Sequence, residues 1–86
     1  MTIHPHPAAV RRRAGSQAFL LAKYEEFGTL HKAYWALVHL HRAEPARYHE
    51  ITGSDRLPRY ETLHRYWASI PVAQRRAARQ RYQRRS

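Results

Sequence analysis

The stretch that decides the fold is AFLLAKYEEFGTLHKAYWALVHLH, residues 18–41. Its large side chains Leu20, Tyr24, Phe27, Leu30, Tyr34 and Leu37 fall three or four positions apart, and His41 ends the series. That is the spacing of one face of an α-helix. Leu21, Val38 and Leu40 widen the stripe, and Lys23, Glu25, Glu26, His31 and Lys32 fill the opposite side. A single straight helix from Ser16 to Ala43 would be about 42 Å long at the α-helical rise. A domain of this length has a radius of gyration of only about 12 Å. The stretch is therefore expected to break, and Gly28-Thr29 supplies both a C-terminal stop and a new N-cap.

Downstream, the punctuation is again helical. Pro45 suits a first helical position, and a short helix is expected from there to Ile51, closed by Gly53. Gly53-Ser54-Asp55-Arg56 reads as a turn. A further helix over 58–69 places Tyr60, Leu63, Trp67 and Ile70 on one face, and Pro71 starts a last helix over about 71–84. Upstream, residues 1–15 carry two prolines, Pro5 and Pro7, and the run Arg11-Arg12-Arg13 but no apolar period. They are expected to form a flexible basic arm, with Ser16 capping the first helix. No segment alternates apolar and polar residues, and β-branched residues are sparse, so no sheet is expected. The sequence thus predicts an all-α protein: a small orthogonal bundle of four or five helices over residues 16–86, preceded by the arm over 1–15.

Charge separates along the chain. Of 86 residues, sixteen are Lys or Arg and six are Asp or Glu, for a formal net charge of +10. Residues 14–70 are nearly balanced, and the excess lies at the two ends. End-loaded basic segments suit polyanions, above all nucleic acid. Arg11, Arg12 and Arg13 at one end, with Arg75, Arg76, Arg79, Arg81, Arg84 and Arg85 at the other, are the expected phosphate contacts. Tyr82, interleaved in the last run, is placed to stack on an unpaired base. The plain alternative is a solvated tail.

The order short helix, Gly turn, longer helix over 45–69 has the outline of a helix-turn-helix. In such a unit Arg56, Arg59, Thr62 and Arg65 would face a groove, with His64 or Tyr66 beside them. The turn is longer than that motif uses, and these side chains can equally be the wet face of an amphipathic helix.

Other chemistry finds little support. There is no Cys, so disulfides and thiolate metal sites are excluded. The seven His include no pair at helical ligand spacing, and no metal or cofactor is expected. His49 with Glu50, or Glu61 with His64, are the only pairs resembling general acid–base partners, and no nucleophile or phosphate-loop motif accompanies them. No apolar run is long enough to span a bilayer, and the last helix has too little apolar face to lie on one. The expectation is a cytoplasmic, non-enzymatic accessory or regulatory protein that binds DNA or RNA. The alternative is a small interaction protein, of the kind encoded by phages and mobile elements, that inhibits a host protein through an acidic surface. Either is compatible with a homodimer. An exposed Trp35 or Trp67 beside a groove would favour the alternative.

Overall fold

The computed structural model describes residues 7–85 and is built from five helices with no strand among the described residues. They are α1 (Pro7–Phe27), α2 (Leu30–Ala43), α3 (Pro45–Thr52), α4 (Tyr60–Ala68) and α5 (Val72–Arg85). The small all-α bundle expected from the sequence is the fold. Helix α1 is its spine, packing against all four others, and α2 also packs on α3. The shortest dimension, 20 Å, is about that of two helix layers.

The break at Gly28 is present and chemically complete. Gly28 takes φ 82°, a left-handed conformation that a side chain would strain, and its N–H donates to the Tyr24 carbonyl. Thr29 then caps α2, its Oγ1 accepting from the Lys32 N–H. Pro45 opens α3, and Gly53 closes it at φ 70°. The core is a cluster of Leu20, Ala33, Leu37, Leu40, Tyr48 and Leu63. Phe19, Leu30, Tyr34, Ile51 and Trp67 pack around it, with the Trp67 ring 4.8 Å from that of Tyr24.

One boundary differs. Residues 7–15 are the first turns of α1, so the expected arm does not extend to residue 15; its residues 1–6 lie outside the described part. Ser16 is no N-cap but a mid-helix residue with no exposed surface. The reason is chemical. This half of α1 is covered through small and polar groups, so it has no apolar period to read. Gly15 sits where α3 crosses, its Cα facing the Ile51 carbonyl so closely that a Cβ would stand 2.9 Å from the carbonyl carbon. Arg12, Ser16 and Leu20 follow one another at four-residue steps on one face. Gln17 ties the same helix to the end of α4, its Nε2 donating to the Tyr66 carbonyl and to Ser69 Oγ.

Helices α3 and α4 are not packed as a helix-turn-helix. Each lies on α1, and they share no substantial contact of their own. The motif requires its two helices to brace one another, so the outline in the sequence is not realised as a unit.

A basic pocket at the start of α4

The link between α3 and α4 is irregular yet tightly held. Thr52 Oγ1 lies 2.9 Å from the Tyr48 carbonyl and 3.0 Å from that of Ser54, sharing its one proton between them, and accepts from the Ser54 N–H. Ser54 Oγ accepts from the Arg56 N–H. Two side chains beneath the loop fix its carbonyls: Tyr48 Oη donates to that of Arg56, and His41 Nε2 lies 2.8 Å from that of Asp55. Tyr48 is buried, and its ring meets His41 edge to face at 4.8 Å. Burial pushes its phenol above the ordinary value of 10.0, opposed by a bond to Thr52 and by the positive charge of Arg12.

The loop so fixed forms one wall of a pocket of about 510 Å³ with α1 and the start of α4. Arg12 enters from α1, Arg56 from the loop, and Arg59 and Thr62 from the first turn of α4. Arg59 is the N-cap residue, yet its side chain makes no capping bond. The first intrahelical bond is from the Leu63 N–H to the Arg59 carbonyl, so the N–H groups of Tyr60, Glu61 and Thr62 have no acceptor within the helix. The partial positive charge of a helix start thus adds to three guanidinium groups. Among the described residues Arg12 Nε is buried with no hydrogen-bond partner, as is Ser16 Oγ one turn further along. A buried donor without an acceptor is costly, about 1–3 kcal/mol, so this corner of the molecule is not arranged for stability alone. The carboxylate of Asp55 stands at the same rim but is held by His49 Nδ1 at 2.7 Å.

Four of the residues singled out from the sequence, Arg12, Arg56, Arg59 and Thr62, are therefore brought together, across more than forty positions of chain. The others go elsewhere. Arg11 lays its stem against Gly53 and donates to the Glu50 carbonyl at 3.4 Å, fastening α1 to α3. Arg13 and Arg65 are exposed. On α5, Arg75 donates to the Ile70 carbonyl at 3.0 Å, and Arg81 pairs with Glu25 on α1 at 3.4 Å, so both help to hold the helix down. Arg76, Arg79, Arg84 and Arg85 are exposed. Tyr82 is not free to stack on a base: its half-buried ring lies against Gly28, where a Cβ would collide with it. Of the acid–base pairs considered, His49 is joined to Asp55 rather than to Glu50. Among the described residues no group of three or more His, Asp or Glu is placed to hold a metal ion, and no helix is long and apolar enough to cross a membrane.

A second concavity escaped the sequence reading as a whole. It is a groove of about 600 Å³ running between α1 and α2 to the start of α3, floored by Phe19, Phe27, Trp35 and Leu40. The sequence pointed to it only through Trp35, named as a residue whose exposure beside a groove would favour a protein partner. Tyr34 takes the inner place, and Trp35 is 54% exposed.

Comparison with known proteins adds no assignment: no family model matches this chain, and no curated protein or solved structure matches it.

Proposed function

We propose that this protein binds nucleic acid in an accessory or regulatory role, seating a backbone phosphate in the pocket at the start of α4. The convergence of Arg12, Arg56 and Arg59 on an uncapped helix N-terminus carries this reading. Backbone N–H groups and guanidinium forks are the donors that phosphate oxygens accept. Elsewhere on the surface, Arg13, Arg65 and the four exposed arginines of α5 supply charge for further phosphates. For Arg59 and Thr62, phosphate contact fits better than base reading, because α4 offers its end rather than a braced recognition helix. The occupancy of the pocket by phosphate predicts strong salt dependence. The logarithm of the binding constant falls with the logarithm of salt by roughly 0.7–0.9 per phosphate neutralised.

The test is fluorescence-anisotropy titration of labelled duplex and single-stranded probes across salt concentrations. Replacing Arg56 and Arg59 with Ala should lower affinity for every probe and flatten the slope by about 0.7–0.9, the share of the one phosphate they clamp together. Both side chains are exposed, so the variant keeps its helical circular dichroism. Absence of binding to any probe at low salt would retire the reading.

One observation favours a second reading, a protein that acts on another protein. Trp35 is exposed beside a groove, which is how an interface anchor is presented.

A further inference from the structure

The groove between α1 and α2 has an apolar floor and cationic edges. Phe19, Phe27, Trp35 and Leu40 face it, and Phe27 and Trp35 are among the few large apolar side chains left exposed. Lys23 spans one side, its Nζ 5.7 Å from the Phe19 ring centroid and 5.9 Å from that of Phe27. Lys32 and Arg47 stand on the rim, and among the described residues no ion pair engages either one. Among those residues Glu44 is the single acid lining it. Trp35 is held in place rather than left loose: its indole Nε1 donates to His31 Nε2 at 3.0 Å, and the Tyr34 ring meets it edge to face at 5.7 Å. A fixed aromatic costs little entropy when a partner covers it.

From this we infer that the groove is a docking site for an amphipathic helix of another protein, apolar on one side and acidic along its flanks. The apolar floor calls for side chains at three- and four-residue steps, which a helix laid in a groove provides. No strand edge is offered among the described residues, so an extended peptide has no ladder to join. Charge selects the flanks, because Lys32 and Arg47 outweigh Glu44, while Lys23 is paired with Glu26 at 3.1 Å. It also argues against two nearer occupants. A second copy of a chain with net charge +10 repels the first, and the chain's own residues 1–6 contain no acid. The inference is independent of the nucleic-acid reading, since the groove shares no lining residue with the basic pocket.

The test uses designed helical peptides of about 18 residues, or five turns. One has a Leu stripe flanked by Glu, one has the same composition in scrambled order, and one has Lys in place of Glu. Binding is read by anisotropy of labelled peptide and by chemical-shift changes of the Trp35 indole. The Leu–Glu peptide should bind, the other two should not, and Trp35→Ala should weaken binding about thirtyfold. Lys32→Glu with Arg47→Glu should weaken the Glu peptide and admit the Lys peptide. Trp35→Ala, which changes no charge, should not alter affinity for nucleic-acid probes by more than about threefold, which separates this result from the fate of the other reading. Equal binding of the scrambled peptide, or undiminished binding by Trp35→Ala, would place the contact on the arginines of α5 and overturn the inference. So would a concentration-dependent dimer in sedimentation that Trp35→Ala abolishes.

Discussion

Gly15→Ala is the sharpest probe of how the two faces are held together. The residue sits inside α1, where α3 crosses over it. An added Cβ would stand 2.9 Å from the Ile51 carbonyl carbon and 3.1 Å from Thr52 Cα, and closer still to the carbonyl oxygen. Unbonded carbons rest at about 3.5–4.0 Å, so α3 must retreat by at least about 0.5 Å. The obstacle is backbone, and no side chain can rotate out of the way. Overpacking of this kind costs typically 1–3 kcal/mol or more, and a backbone collision belongs at the upper end. Alanine's better helix propensity returns about 1 kcal/mol. The net is a loss of about 2 kcal/mol, or roughly 8–16 °C in Tm for a domain of this size. Ala14→Gly is the companion variant. Ala14 is exposed on the neighbouring face, so it reports propensity alone and should cost about 1 kcal/mol. Urea denaturation followed by far-UV circular dichroism measures both. If residues 7–15 were an arm, neither change would register. Unaltered or increased stability of Gly15→Ala would refute the close crossing of α1 and α3.

Gly28→Ala meets two obstacles, a φ of 82° and the Tyr82 ring, and should cost about 1–3 kcal/mol in the same assay; a neutral result would mean that α5 does not close over the α1–α2 turn. Tyr48→Phe should lose about 1 kcal/mol at neutral pH, with the hydrogen bond to the Arg56 carbonyl. Because burial raises the Tyr48 pKa in the folded state, the unfolded chain releases this proton first as pH climbs through about 10. Wild-type stability should then fall from about pH 10 upward, by at most about 1.4 kcal/mol per pH unit from this group, and below pH 10 Tyr48 contributes no slope. The Phe variant lacks this loss, so the gap between the two proteins should narrow above pH 10. A gap constant from pH 8 to pH 11 would contradict burial of the phenol.

What could be read in the sequence was local. The break at Gly28, the start at Pro45 and the stop at Gly53 are each decided by one residue's backbone or capping chemistry, and each is where it was expected. The start of α1 was not legible, because Gly15, Ser16 and Arg12 bury that face without apolar periodicity. The pocket was half legible. Arg56, Arg59 and Thr62 lie close in sequence, whereas Arg12 joins them only because α1 runs beneath the α3–α4 loop. The groove was legible only as the possibility of an exposed Trp35 or Trp67, and that Trp35 rather than its neighbour Tyr34 turned outward depended on how α2 lies against α1 and α4.

The arginines of α5 divide between two tasks, and the division bears on how the helix meets a polyanion. Ala78 is its only fully buried side chain, so apolar burial alone holds it weakly. Arg75 on the Ile70 carbonyl, Arg81 on Glu25 and Tyr82 over Gly28 supply the remaining anchorage. These three positions, together with Ala78, fall at three- or four-residue steps along the inward face. Arg76, Arg79, Arg84 and Arg85 are left outward, and like charges one turn apart on a helix repel. A bound polyanion removes that repulsion while leaving the inward contacts intact. A ligand that binds only the folded helix stabilises it by mass action. The most highly charged helix is thus the least secured by the core, so it gains most from the partner proposed for it.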